Sequence, residues 1–130
     1  MELDFTIPGP PRTKKNHQRL ISVGGRPRVI PSKDYEQYEQ TALWRLPRLR
    51  EAIREPVNVK CVYYMPTRRR VDLVNLLEAT CDILVKGRVL ADDNCGVVAS
   101  HDGSRVLYDR DDPRAEITIT SVNTESGGKT

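Results

Sequence analysis

Asp72-Leu73-Val74-Asn75-Leu76-Leu77-Glu78-Ala79-Thr80-Cys81-Asp82-Ile83-Leu84-Val85-Lys86 separates its apolar from its polar side chains at helical spacing, and the architecture follows from it. At about 100° per residue, Leu73, Leu76, Leu77, Thr80, Ile83 and Leu84 cluster on one side, while Asp72, Asn75, Glu78 and Asp82 gather on the other. One face packs and the other carries carboxylates, so this is an amphipathic helix that needs a sheet or another helix to cover it. Immediately before it, Val57, Val59 and Cys61 alternate into a strand that runs through Tyr63 and Tyr64 to Pro66. After Gly87, Val89 and Leu90 lead into the turn Ala91-Asp92-Asp93-Asn94, and Gly96 to His101 then faces Ser104 to Tyr108 across Asp102-Gly103. That dipeptide predicts a type I′ hairpin. Asp111-Asp112-Pro113 turns the chain, and Glu116 to Thr120 alternates as a last strand.

Upstream, Glu2-Leu3-Asp4-Phe5-Thr6-Ile7 alternates with Leu3, Phe5 and Ile7 on one face, and Pro8-Gly9-Pro10-Pro11 ends it. Leu20 to Val23 and Arg28 to Ile30 form a short hairpin over Gly24-Gly25. Ser32 caps a helix in which Tyr35, Tyr38, Ala42, Leu46, Leu49 and Ile53 share a face; Pro47 predicts a kink or a division into two pieces. Trp44 and Phe5, the only residues of their kinds, fall on faces expected to be core. The order strand, hairpin, helix, strand, helix, hairpin, strand is an α+β layout: a mixed or antiparallel sheet with two main helices in one small domain. Its expected bounds are residues 1–121, with 122–130 as a flexible tail that has nothing to bury.

A chain of 130 residues with 38% hydrophobic content buries one core without staples, which excludes a disordered tail protein. Three Cys without a C-x-x-C pair argue against a disulfide framework or a zinc ribbon and fit a reducing compartment, so a cytoplasmic location is expected. Neither an apolar run near the length of a membrane span nor the order of a signal peptide is present, and no membrane partner is expected. There is no Gly-rich phosphate loop, so no nucleotide cofactor is expected. His17 and His101 lack partners at metal-ligand spacing.

Net charge is only +3, but its distribution is uneven. Arg12, Lys14, Lys15, Arg19, Arg26 and Arg28 occur without an intervening Asp or Glu, and Arg68, Arg69 and Arg70 form a second block. Each block alone reads equally as solvated surface; two of them around one domain favour a polyanion. The acidic set Asp72, Asn75, Glu78 and Asp82, with Asp92 and Asp93, reads either as a solvated helix face with Asp72 as an N-cap accepting from the Asn75 amide, or as a hard-cation site. Beside the arginines, the second reading is metal-dependent nuclease chemistry: cations hold the phosphodiester while metal-bound water attacks it.

Ile7-Pro8-Gly9-Pro10-Pro11-Arg12-Thr13-Lys14-Lys15-Asn16, then Arg68-Arg69-Arg70-Val71-Asp72-Leu73-Val74-Asn75-Leu76-Leu77, then Leu90-Ala91-Asp92-Asp93 resemble, in order and spacing, the RusA family of Holliday junction resolvases. The resemblance runs from about Phe5 to Thr120. It implies a small α+β homodimer, frequent in prophages, that cuts four-way DNA junctions with Mg²⁺. It places the family's first helix aspartate on Asp72, its asparagine on Asn75 and its aspartate after the helix on Asp93. On the nuclease reading Asp72 and Asp93 coordinate Mg²⁺, with Glu78 and Asp92 as auxiliary carboxylates. Lys14, Lys15, Asn16, Arg68, Arg69 and Arg70 would bind DNA. Two positions depart from the family: Val74 stands where it has a second aspartate, and Glu78 where it has a catalytic lysine. A catalytically degenerate protein that holds branched DNA is the alternative, and a small RNA-binding protein, short of aromatics for stacking, ranks third.

Overall fold

The computed structural model describes residues 1–14 and 18–122. Lys15, Asn16 and His17, and the expected tail beyond Val122, lie outside the described residues. The order is β1 (Glu2–Pro8), β2 (Gln18–Val23), β3 (Arg26–Pro31), α1 (Lys33–Arg45), β4 (Val57–Met65), α2 (Leu73–Lys86), β5 (Val98–Ser100), β6 (Arg105–Tyr108) and β7 (Arg114–Ser121). β2 and β3 form a separate hairpin, and Gly24 and Gly25 at its tip both have positive φ, as a type I′ turn requires. The other five strands form one mixed sheet on which both helices pack, the α+β architecture expected.

β4 is the centre of the sheet. On one edge it pairs antiparallel with β7, which in turn pairs with β1 over the seven residues from Glu2↔Thr120 to Pro8↔Arg114. On the other edge β5 and β6 both lie parallel to β4. The hairpin expected across Asp102-Gly103 is therefore not formed. A type I′ turn needs positive φ at both central residues, and here only Gly103 has it (φ 87). The Ser104 amide donates to the His101 carbonyl at 3.1 Å, which with that φ is the type II pattern, so the chain jogs and continues in the same direction. Side chains of the jog satisfy the stretch of β4 edge that it leaves: His101 Nδ1 donates to the Val59 carbonyl at 2.8 Å, and the Cys61 amide donates to Ser104 Oγ at 3.0 Å. α2 is the crossover that makes this parallel edge possible.

The core lies between the sheet and the helices. Val57, Val59, Cys61, Tyr63 and Met65 of β4 and Ala115, Ile117 and Ile119 of β7 meet Tyr35, Tyr38 and Ala42 of α1 and Leu76, Ile83 and Leu84 of α2. At its centre the Tyr63 hydroxyl is 3.0 Å from the Leu76 carbonyl and 2.7 Å from Thr80 Oγ1, tying strand to helix. Burial and the neighbouring Cys61 push this phenol above its ordinary range.

α1 is capped as expected, with Ser32 Oγ accepting from the Tyr35 amide at 3.1 Å. It neither kinks nor resumes at Pro47. Leu46, held extended by the proline after it, ends the helix, and Leu49 and Ile53 belong to the following irregular segment. Ile53 instead bridges Leu90. Trp44 is also not a core residue: it is 79% exposed, because the helix turns it away from the stripe formed by Tyr35, Tyr38 and Ala42. Among the described residues no helix is long and apolar enough to cross a membrane.

Candidate nucleic-acid and metal site

Asp72 is the N-cap of α2. Its Oδ1 accepts from the Val74 amide at 2.9 Å, one residue earlier than the Asn75 amide expected, and its other oxygen is left outside the helix. Arg69 and Arg70 are exposed just upstream. The Arg68 guanidinium lies 4.2 Å from the centre of the Tyr108 ring, which braces the arginine run against β6. The two elements that carry these groups meet because β6 and the end of β4 are neighbours.

From Asp72 the carboxylate face continues up α2 at helical spacing. Asn75, Glu78 and Asp82 line one small cleft with Thr13, Lys14 and Ala79, so the basic N-terminal loop and the acidic helix face are parts of a single site. Lys14 Nζ donates to Asp82 Oδ2 at 3.2 Å and lies 5.9 Å from the Tyr35 ring centre. Asp82 lies on the polar face of α2 as its spacing predicts, but its pairing with a lysine 68 residues away is a tertiary fact with no sequence signal. Thr13 and Tyr35 were not anticipated as site residues either. Thr13 is 5% exposed, and its hydroxyl is buried without a hydrogen-bond partner among the described residues; the Tyr35 hydroxyl is buried beside Glu39. Burial first, then the negative charges of Glu39 and Asp82, raises the Tyr35 phenol above its ordinary range.

Asp92 and Asp93 are exposed in the turn after α2, and Asp92 Oδ1 accepts from the Asp93 amide at 2.7 Å. Behind this turn Cys81 Sγ is 3.9 Å from His101 Nε2. The Val59 carbonyl can only accept, so His101 Nδ1 is the donor to it. Burial, with smaller effects of Cys61, Asp93 and Asp82, pushes the Cys81 thiol up to about 12, so the sulfur is a neutral packing group. Val74, the departure beside Asp72, is 68% exposed and points no carboxylate at the cleft.

Among the described residues no three His, Cys, Asp or Glu side chains gather closely enough to hold a metal ion by themselves. Mg²⁺ asks for less: about one or two carboxylates, with water and substrate phosphate completing its octahedron. Asp72 and Asp92 each spend one oxygen on a local amide and present the other, and all the donors are hard oxygens. The residue types suit a hard cation completed by substrate, but no hydrogen bond or ion pair among the described residues joins Asp72 to Asp92 or Asp93.

Compared with known protein families, residues 8–120 match the family described as endodeoxyribonuclease RusA. No curated protein matches the chain.

Proposed function

Because the chain belongs to the RusA family of endodeoxyribonucleases, a family of Holliday junction resolvases that act on DNA, we propose that it is a Mg²⁺-dependent endonuclease that resolves four-way DNA junctions. The observation that carries this reading is the cleft in which the N-terminal cationic loop meets the carboxylate face of α2, with Arg69 and Arg70 exposed at the cap end. In this reading Asp72 and Asp93 hold the cation, Asp92 assists, and Glu78 adds a carboxylate near the cleft. Bound there, Mg²⁺ supplies phosphate charge neutralisation and an acidified water as nucleophile. Lys14, Lys15, Asn16 and the Arg68 to Arg70 block bind the DNA backbone, and Lys14 also holds its loop to α2 through Asp82. A four-way junction has two-fold symmetry and needs two cuts, which an isologous homodimer supplies.

The second reading is a degenerate member that binds branched DNA without cutting. Exposed Val74 in place of a carboxylate and the absence of a three-ligand cluster among the described residues favour it. A synthetic four-way junction incubated with the protein in Mg²⁺, Ca²⁺ or EDTA separates the two. Cleavage in Mg²⁺ alone supports resolution, whereas stable retardation in all three supports binding only. If the protein cuts, Asp72→Asn and Asp93→Asn should each lower the rate by more than the roughly 10–100-fold typical of losing a group that merely supports a ligand. Binding in Ca²⁺ should persist. Full cleavage by both variants would overturn the assignment of the two aspartates, and sedimentation of a monomer only, free and on DNA, would overturn the dimer.

A further inference from the structure

The opposite end of α2 carries cations that this site does not use. Arg45, Arg48, Arg50, Arg54 and Arg88 are all exposed, and none of them enters an ion pair in the described structure. Arg50, Arg54 and Arg88 line one concavity of about 310 Å³ with Leu49, Glu51 and Ala52, so three basic residues and one acidic residue surround it. The fold assembles this rim from two distant segments. The Ile53 amide donates to the Val89 carbonyl and the Ala91 amide to the Ile53 carbonyl, both at 2.9 Å, which stitches the stretch bearing Arg54 to the one bearing Arg88.

Arg88 has a left-handed backbone, φ 62, and is the only non-glycine among the described residues with positive φ. Glycine or asparagine would take that conformation with less strain, so packing gives no reason for an arginine. What the arginine adds is its guanidinium on the concavity. Next to this rim, Trp44 and Arg48 line a second concavity with Gln40 and Leu43, and Leu43 also packs close to Gly87.

We infer that the Arg50–Arg54–Arg88 rim is a second DNA contact, which grips the phosphate backbone of one duplex arm while the Asp72 end of α2 engages the junction. The fourteen residues of α2 span about 21 Å, the length of roughly six base pairs of duplex. Guanidiniums that are free of internal partners suit phosphate, which they bind in a bidentate fork. DNA as the ligand rests on the function proposed above; the existence of the cationic rim does not. An acidic protein is the competing occupant, since an exposed tryptophan beside arginines is also how protein interfaces are anchored.

Trp44 is the sole tryptophan, so its emission reports on this end of the molecule. The unaltered protein is titrated with a four-way junction at several salt concentrations, following both Trp44 emission and affinity, and compared with Arg50→Gln/Arg54→Gln/Arg88→Asn. Asn is used at 88 because it tolerates left-handed φ. Arg50→Glu/Arg54→Glu, checked for an unchanged melting temperature, serves as a second variant. Loss of the emission change together with a salt slope lower by up to about 2.7, or 0.9 for each of three phosphate contacts, supports the inference. An unchanged slope in both variants overturns it and leaves the junction reading intact. Failure of the unaltered protein to bind junctions at any salt overturns both.

Discussion

Asp72 stands at the point where helix formation and chemistry use the same side chain: one carboxylate oxygen caps α2 and the other remains for a ligand. Asn at this position keeps the cap and removes the charge, which is why Asp72→Asn tests metal binding without testing the helix. Glu78 lies one turn above Val74, close enough for its longer side chain to reach back toward the position where the family has an aspartate. If it substitutes for that group, Glu78→Ala should lose cleavage about as severely as Asp72→Asn, and Val74→Asp added to it should restore part; full cleavage by Glu78→Ala removes the compensation. Lys14 and Asp82 are both partly exposed, so Asp82→Ala should change stability by less than about 1 kcal/mol. The same change frees Lys14 for phosphate, and junction affinity at low salt should rise or hold; a marked fall would mean that the pair positions the loop. The cysteines also separate at this scale. Burial holds Cys61 and Cys81 as thiols, each pushed up to about 12, whereas Cys95 is exposed. Alkylation of the native protein at pH 8, read by mass spectrometry, should modify Cys95 well before the other two.

Elements end where single residues stop them, and here the stops are readable once the backbone is known. α1 ends at Arg45 because Leu46 precedes proline. α2 ends at Gly87, where any Cβ would run into Leu46 Cδ1 and would lie 3.2 Å from Leu43 Cδ2, so the glycine is there for the close approach of α1. Gly87→Ala should therefore destabilise by about 1–3 kcal/mol through overpacking, measured by urea unfolding. Arg88→Gly, in contrast, relieves a left-handed side chain and should stabilise by up to about 1 kcal/mol. The strand-to-helix tie at Tyr63 is a polar feature of the buried core. Tyr63→Phe leaves Thr80 its bond to the Leu76 carbonyl at 2.9 Å but removes the phenol from both, and should cost about 1–2 kcal/mol. A smaller loss would show that Thr80 alone satisfies that carbonyl.

For the molecule as a whole, β4 is the element to which everything else is referred: β7 on one edge, β5 and β6 on the other, and both helices on one face. The end of the sheet is closed by Arg114, which bonds Glu116 and Asp109 at 2.9 Å each and lies 3.8 Å over the Tyr64 ring. The Arg114 hydrogen bond is the main cause that holds the Asp109 carboxyl below its ordinary range. A folded pKa below the unfolded one favours the native state above the unfolded value of about 3.9, and that gain is lost as pH falls through the lower folded value. Arg114→Leu should accordingly flatten the stability profile on its acid side, as followed by melting temperature between neutral pH and pH 3. An unchanged acid slope would show that Asp109 is held by the amides of Asp111 and Asp112 instead.

Periodicity and caps, which depend on residues a few places apart, were legible in the chain itself. The two-faced helix from Asp72, the Ser32 cap, the Gly24-Gly25 hairpin and the alternation of β1, β4 and β7 all follow from local sterics and amide accounting. So did the α+β class and the family resemblance. Tertiary structure alone decided that Asp102-Gly103 joins two strands parallel to β4, because Asp102 and Gly103 allow more than one turn and the pairing energy of an edge selects among them. It also decided that Trp44 is exposed, that Lys14 meets Asp82, and that arginines from 50 to 88 share one rim. Those contacts join residues tens of positions apart, and their stability comes from the packed whole, which no local window of sequence contains.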